Sequence, residues 1–281
     1  MKLRFEDRSG IKYTLRKGSH IFKEEKENIL FGGGDGSGRS ETLRMMIYEL
    51  LSEKQISNFL YFNFLGDNSA FYRTAETLEP FGLINEKNKL YIYNFLTRLN
   101  TNNTNTTQYF MTKKAIDNMK TDLSKKNSVF LFPQIEKYFI QSFFDILEAL
   151  PKNTGKEIPI ITDNISCFKL DDFINYSKLM KEVNNKGYFF INSIYGMFNL
   201  YSFEDSFNIL KNDHSHILMA NSQINLDNRY MKNIKLEKKL NYIEPGHFYY
   251  FKDLKLEYKY LNRFHFIKSN YQHTGKSVFI V

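Results

Sequence analysis

The fold of this chain is decided by residues 27–53, which read ENILFGGGDGSGRSETLRMMIYELLSE. Glu27–Phe31 is a short apolar run of the kind that forms a buried strand, and Gly32–Gly38 ends it with five glycines. Ser40–Glu53 then places its apolar residues at helical spacing. Asn58–Leu65, reading NFLYFNFL, is a continuous apolar run typical of a strand that is covered on both faces. The stretch therefore predicts a β-loop-α-β unit.

The same alternation of strands and helices continues along the chain. Buried strands are predicted at Ile158–Thr162, Gly187–Asn192 and His216–Ala220, and amphipathic helices are predicted at Ser142–Leu150 and Asp171–Glu182. Strands that alternate with helices favour a parallel sheet with helices on its faces. The predicted fold class is therefore α/β, with a mostly parallel sheet flanked by helices.

The remaining segments are predicted to surround this sheet. Residues 1–22 alternate polar and apolar side chains about a turn at residues 7–10, which predicts an N-terminal β-hairpin. Residues 100–150 begin with a low-complexity polar run and are predicted to form a small, mostly helical insertion. From Phe248 onward the chain is predicted to add edge strands. We expect residues 1–281 to form a single domain.

Composition excludes several classes of protein. The chain has 281 residues and a formal net charge of +8, and 42% of its residues are hydrophobic, so it can bury a large core and is not globally disordered. Cys167 is the single cysteine, which excludes an intrachain disulfide framework and indicates a reducing compartment. No signal peptide or membrane-spanning apolar stretch is recognisable, so we expect a cytoplasmic protein.

The glycine-rich turn has the pattern of a phosphate-binding loop. Gly33–Ser40 fits G-x-x-x-x-G-[K/R]-S, with Arg39 where a lysine normally stands. Glycine amides can form a concave nest for phosphate oxygens at the positive end of the following helix. We predict that Arg39 contacts the terminal phosphates of ATP and that Ser40 is a ligand of Mg²⁺. The predicted nucleotide-binding residues are Gly33, Gly34, Asp35, Gly36, Ser37, Gly38, Arg39, Ser40 and Glu41.

A second apolar strand ends in an acidic residue. Residues 158–164 read IPIITDN, and in P-loop ATPases an aspartate at such a strand end holds Mg²⁺ through water. We therefore predict that Asp163 is a magnesium-binding residue and, with Arg39, a catalytic one. A glutamate that polarises the attacking water usually follows, but here the next residue is Asn164, which cannot act as a general base.

Taken in order, these and later segments make the chain resemble the conjugative and type IV secretion coupling proteins of the TraD/TraG type, in the FtsK/HerA-like branch of P-loop ATPases. The resemblance covers about residues 20 to 260. Besides the two motifs above, it is carried by LYFNFLGDN (60–68), YNFL (93–96), NKGYFFINS (185–193), HSHILM (214–219) and LNYIEPGHF (240–248). It implies a RecA-like P-loop NTPase domain that binds ATP and Mg²⁺, with Asn192 as a sensor-like residue.

The departures from this family fall at catalytic positions. Arg39 replaces a lysine, Asn164 a glutamate and Asn192 a glutamine, and residues 181–186 contain no arginine where a trans-acting finger would lie. Four losses of this kind indicate a degenerate motor with weak or absent hydrolysis. If hydrolysis occurs, another carboxylate must position water, and Asp67 is a possible substitute. The resemblance also implies an oligomeric ring and contact with a membrane-bound secretion or conjugation machinery through a partner.

Two alternatives remain open at this point. A catalytically inactive scaffold or adaptor derived from such an ATPase is favoured by the four departures, although intact glycines, Ser40 and Asp163 argue against it. A plasmid or phage DNA-packaging ATPase belongs to the same broad branch. Contact with DNA is suggested by the net charge and by Tyr249–Tyr260, where aromatic residues and lysines alternate. Lysines that protect an edge strand would give the same pattern.

Overall fold

The computed structural model describes residues 4–6, 12–14, 27–33, 37–52, 54–64, 73–75, 78–84, 90–92, 96–99, 108–111, 117, 120–121, 123, 129–132, 140–195, 209–210, 212–219, 249–252, 255–258 and 278–280. The first elements are β1 (Arg4–Glu6), β2 (Lys12–Thr14), β3 (Ile29–Gly33), α1 (Arg39–Ser52), β4 (Leu60–Asn63), β5 (Leu90–Ile92), β6 (Leu96–Leu99), β7 (Gln108–Met111) and β8 (Val129–Phe132). The later elements are α2 (Ile140–Ala149), β9 (Ile158–Asp163), α3 (Leu170–Asn184), β10 (Tyr188–Tyr195), β11 (His216–Met219), β12 (Tyr249–Lys252), β13 (Lys255–Tyr258) and β14 (Val278–Ile280).

The main sheet of the described residues has the strand order β13-β12-β11-β3-β10-β9-β4-β8-β5-β14. Every neighbouring pair from β11 to β14 is parallel, whereas β12 and β13 add antiparallel strands at one edge. The predicted α/β class with a mostly parallel sheet is confirmed. The predicted N-terminal hairpin is confirmed where the structure describes it, because β1 and β2 pair antiparallel.

The two faces of the sheet carry separate apolar cores. Side chains of successive strand residues point to opposite faces, so alternate residues of each strand belong to alternate cores. One face packs against α1 through Phe31, Leu43, Ile47, Tyr61, Ile161 and Ile191. The other face packs against α2 and α3 through Leu30, Phe62, Phe143, Tyr176, Met180 and Phe190. Below, these are called the α1 face and the α3 face.

Both cores are dense in apolar side chains. Helix α1 is buried almost all round, because residues 75, 78 and 84 join its core from outside the sheet. On the α3 face, Phe143 contacts Phe62 with ring centroids 4.7 Å apart and contacts Phe64 at 5.2 Å. Aromatic contacts of this geometry add to the free energy gained by apolar burial. The two layers therefore cover β3, β4, β9, β10 and β11 from both sides.

The predicted helical insertion at residues 100–150 needs correction. Val129–Phe132 is a strand of the main sheet, between β4 and β5, and Gln108–Met111 is a strand paired with β6. The helix predicted at Ser142–Leu150 is present as α2, Ile140–Ala149. The sequence VFLF is too short for periodicity to distinguish a buried strand from a buried helical turn, which is why the strand was missed.

Candidate functional site

The glycine-rich turn joins a buried strand to the start of a helix. Strand β3 ends at Gly33 and α1 begins at Arg39. Gly38 has a φ of 86°, which side-chain-bearing residues rarely adopt, and its carbonyl accepts hydrogen bonds from Thr42 N (2.9 Å) and Thr42 Oγ1 (2.8 Å). These bonds fix the first turn of α1. Gly34, Asp35, Gly36 and the side chain of Glu41 lie outside the described residues.

Positive potential collects at the amino end of α1. Arg39 is 7% exposed and Ser37 is wholly buried, whereas Ser40 is half-buried. The helix dipole places a partial positive charge at this end. A phosphate group can accept hydrogen bonds from main-chain amides at such a helix end and from arginine. The geometry thus suits an anionic ligand at the predicted loop.

Asp163 lies at the end of β9 and is fixed by both neighbouring strands. Its side chain is 1% exposed. Tyr61 Oη, from β4, donates to Asp163 Oδ2 at 2.8 Å, and Ser193 Oγ, from β10, donates to Asp163 Oδ1 at 2.7 Å. Phe64 N also donates to the Asp163 carbonyl oxygen at 2.9 Å. The carboxylate therefore has a defined orientation on the α1 face, because Tyr61 belongs to the core of that face.

Asp163 and the glycine-rich turn share one edge of the sheet. In a parallel sheet the carboxyl ends of the strands meet at the same edge, where α/β proteins bind ligands. Asn192 pairs with Thr162, so Ser193 lies beside Asp163, and Ser193 pairs in turn with Phe31 of β3. Asp163 is therefore two strands, or about 10 Å, across the sheet from β3. Asp163 lies on the α1 face, and the glycine-rich turn leads directly into α1.

The donor set of this edge suits magnesium. Asp163 offers a carboxylate and Ser40 a hydroxyl, and Mg²⁺ prefers such oxygen ligands together with phosphate oxygens and water. In the described part of the chain, no group of three or more His, Cys, Asp or Glu side chains forms a metal site by itself. Asp67 lies outside the described residues.

Asn164 adopts the left-handed conformation, with a φ of 69°. Its main-chain N–H donates to Ser193 Oγ at 2.8 Å, so one serine hydroxyl links the main chain of residue 164 to the carboxylate of Asp163. Asparagine tolerates this conformation better than a glutamate does. Asn164 Oδ1 is buried and has no hydrogen-bond partner among the described residues. The conformation gives a physical reason for asparagine at the position where P-loop ATPases usually have a glutamate.

Asn192, the predicted sensor-like residue, does not lie with Asp163. Its side chain is on the α3 face, where Oδ1 accepts from Tyr176 Oη at 2.8 Å and also bonds with Thr162 Oγ1. Its Nδ2 is 2.8 Å from His214 Nε2. The polar side chain that reaches Asp163 from β10 is instead the next residue, Ser193. Adjacent residues of a strand point to opposite faces of the sheet, so Asn192 and Ser193 lie on different faces.

His214 completes the buried polar cluster on the α3 face. Its Nδ1 is 2.5 Å from the Leu210 carbonyl oxygen, so Nδ1 donates there and Nε2 accepts from Asn192. Burial lowers the pKa of His214 from 6.5 to about 4. The imidazole is therefore neutral near pH 7, and it joins the segment before β11 to β10. This cluster, Thr162, Tyr176, Asn192 and His214, is called the α3-face cluster below.

Two further sequence candidates have clear surroundings. Burial raises the pKa of the Cys167 thiol from 9.0 to about 11, so it is a poor nucleophile at neutral pH. Strands β12 and β13, which carry most of the Tyr249–Tyr260 pattern, lie at one edge of the sheet.

Tyr61 and Ser193 are the site residues that the sequence reasoning missed.

No protein-family model and no curated protein matches this sequence. Among solved structures, it is similar to B204, the DNA-packaging ATPase from Sulfolobus Turreted Icosahedral Virus, at 13% identity and a TM-score of 0.53, over 86% of this chain and 100% of that chain. The genome packaging NTPase B204 from Sulfolobus turreted icosahedral virus 2, in complex with AMP, matches at 13% identity and a TM-score of 0.51, over 84% and 97%. VirB4 of Thermoanaerobacter pseudethanolicus matches at 10% identity and a TM-score of 0.48, over 90% and 95%.

The two likenesses to B204 concern the fold of the chain. The chain shares with B204 a fold in which a mostly parallel sheet is flanked by helices. At 13% identity, a shared fold carries no information about activity by itself. No helix among the described residues is long and apolar enough to cross a membrane.

Proposed function

We propose that this chain is a P-loop nucleotide-binding protein that binds ATP together with Mg²⁺. The observation that carries the proposal is the carboxylate of Asp163, which two hydroxyl groups orient at the same sheet edge and on the same face as the glycine-rich turn. A buried carboxylate held in this way, beside a strand-to-helix turn of glycines, suits a bound metal and phosphate better than it suits a structural role.

Each site residue has a distinct part in this proposal. The main-chain amides of residues 33–38 cradle the phosphates, and Arg39 contacts the terminal phosphates. Ser40 and Asp163 hold Mg²⁺, Asp163 through water. Magnesium, when bound, would neutralise phosphate charge. Arginine keeps the positive charge of the usual lysine but is longer and forked, so binding survives the exchange better than catalysis does.

Hydrolysis is expected to be weak or absent. Asn164 has no basic group that can polarise water, and its main-chain N–H is engaged by Ser193. Its left-handed conformation also disfavours a simple return to glutamate at this position. This observation favours a second candidate, in which the chain is a nucleotide-bound structural subunit or an adaptor of a larger assembly. The two candidates differ in turnover and not in fold.

For the process that the chain serves, we propose the movement of DNA. The fold likeness to a DNA-packaging ATPase supports a role in genome packaging, and that protein is covered over its full length. The resemblance to TraD/TraG-type coupling proteins supports a role in conjugative transfer or type IV secretion instead. The net charge of +8 suits contact with a phosphate backbone in both roles. A ring of subunits, contacting secretion machinery in the second role, belongs to the same proposal.

The proposal is tested by calorimetric titration of ATP into the full chain with and without Mg²⁺, with phosphate release followed in the same samples with and without DNA. Arg39→Ala is the variant, because it removes the predicted phosphate contact. Magnesium-dependent binding of ATP that is weakened in Arg39→Ala supports the nucleotide site. Phosphate release that DNA stimulates would also indicate a working motor. Binding without release indicates the structural subunit. No binding by the wild type at millimolar ATP contradicts the proposal.

A further inference from the structure

Asp163 is bonded by a different neighbouring strand at each carboxylate oxygen. Ser193 on β10 donates to Oδ1, and Tyr61 on β4 donates to Oδ2. A serine at the β10 position fits the family segment that ends in a polar sensor, whereas no motif assigns a role to Tyr61. The tyrosine is wholly buried, so its hydroxyl must find a partner inside the protein, and that partner is the site carboxylate.

We propose that Tyr61 is a positioning residue for the magnesium site, acting through Asp163. This inference rests on the proposed function. Each carboxylate oxygen has two lone pairs, and one on each oxygen is taken by a hydroxyl hydrogen. The lone pairs that remain would be available to the water shell of Mg²⁺. With Tyr61 absent, the carboxylate is held by Ser193 alone and can rotate, so the free lone pairs lose their fixed direction.

Other buried tyrosines show why this contact is distinctive. Tyr188 is 2% exposed, and its hydroxyl donates to the Pro151 carbonyl oxygen at 3.0 Å, at the amino end of β10 and in the core of the α3 face. Tyr176 bonds within the α3-face cluster. Tyr61 alone among these three directs its hydroxyl to a carboxylate of the site. Groups that orient a metal-binding carboxylate change metal affinity by about tenfold or more when removed.

The experiment compares Tyr61→Phe with Tyr188→Phe, a matched control that removes a buried tyrosine hydroxyl from a main-chain partner. The association constant for ATP is measured in EDTA and in excess Mg²⁺. The constant in Mg²⁺ divided by the constant in EDTA is called the metal-dependent ratio. We expect Tyr61→Phe to lower this ratio about tenfold and to leave the metal-free affinity unchanged. Tyr188→Phe is expected to leave the ratio unchanged. Thermal unfolding of both variants measures the loss of stability that a purely structural hydroxyl would cause.

A double variant tests whether Tyr61 acts through Asp163. In the Asp163→Asn background, Tyr61→Phe is expected to have no further effect on the ratio, because the carboxylate that it orients is gone. If Tyr61→Phe yields little folded protein, Tyr61→Met removes the same hydroxyl with a flexible apolar side chain. An unchanged ratio in Tyr61→Phe, or a full additional loss in the double variant, overturns this inference alone. A wild type without metal-dependent ATP binding overturns the proposed function and this inference together.

Discussion

The two faces of the strand pair β9 and β10 use neighbouring residues for opposite purposes. On the α1 face, Asp163 and Ser193 present a carboxylate and a hydroxyl at the sheet edge beside the glycine-rich turn. On the α3 face, Thr162 and Asn192 bond to each other, and Tyr176 and His214 satisfy the remaining polar atoms of Asn192. We propose that the polar groups of the α1 face serve a ligand, whereas those of the α3 face complete the protein core.

This difference shows that residue type alone does not make a polar residue at a strand end part of a binding site. The α3-face cluster is closed, because its polar atoms bond to one another under α3, and it contributes to stability and strand alignment. Asp163 keeps lone pairs after accepting two hydroxyl bonds, so it can still meet a metal-bound water. Substitutions on the two faces are therefore expected to separate stability from metal-dependent binding.

The largest expected effect belongs to Asn192→Ala. This change leaves three buried partners on the α3 face without the amide that bonds them, so the free energy of unfolding should fall by about 4 kcal/mol. Chemical denaturation of wild type and variant measures it. The metal-dependent ratio of ATP affinities in the folded variant should not change. A small loss of stability together with a weakened ratio would place Asn192 in the nucleotide site.

His214 makes the free energy of unfolding depend on pH. Its pKa is about 4 in the folded protein and about 6.5 when unfolded, so only the unfolded state gains a proton between these values. Stability is therefore fully present above pH 6.5 and falls with decreasing pH, by about 3 kcal/mol at pH 4. Denaturation curves at several pH values measure this contribution. His214→Gln should flatten the dependence, and an equally steep one would refute the assignment.

On the α1 face, Asp163→Asn is expected to lower the metal-dependent part of ATP affinity about 100-fold, or about 2.7 kcal/mol. The amide removes the charge that attracts hydrated Mg²⁺. Asp213→Asn is a matched control, since Asp213 is also buried, with Ser177 and Lys181 as partners on the other face. Titration calorimetry of both variants makes the comparison. An equal loss in Asp213→Asn would mean that the effect is general to buried carboxylates.

Ser193→Ala is expected to have the smallest effect. It removes one hydroxyl from the Asp163 carboxylate, so the metal-dependent ratio should fall about fivefold, or about 1 kcal/mol. Ser177→Ala is the control, because its hydroxyl also donates to a buried carboxylate but lies on α3. Both variants are measured as for Asp163→Asn. A larger effect in Ser177→Ala than in Ser193→Ala would remove the distinction between the faces.

Much of this arrangement followed from sequence patterns. The strand, glycine-rich turn and helix at residues 27–53 were predicted because an apolar run, a cluster of glycines and a run with helical spacing follow one another there. The strand that ends at Asp163 was predicted from its length and composition. Strand β8 was missed because four apolar residues do not define a period.

The details of the site depended on facts that a single sequence does not contain. Which of Asn192 and Ser193 faces α1 is set by the register of β10 against β9, and a register one residue away would exchange them. Tyr61 was hidden in an apolar run where a tyrosine is expected for packing alone. Its hydroxyl reaches Asp163 only because β4 and β9 are neighbours in the sheet, which is a property of topology.

The central claim is that the α1 face of this sheet binds ATP and Mg²⁺ at one site. It is tested most directly by a crystal structure of the full chain grown with Mg²⁺ and a non-hydrolysable ATP analogue. The expected result is phosphates against the amides of residues 33–38, and a metal whose water shell meets Asp163. A nucleotide bound elsewhere, or a metal that does not approach Asp163, would contradict the claim.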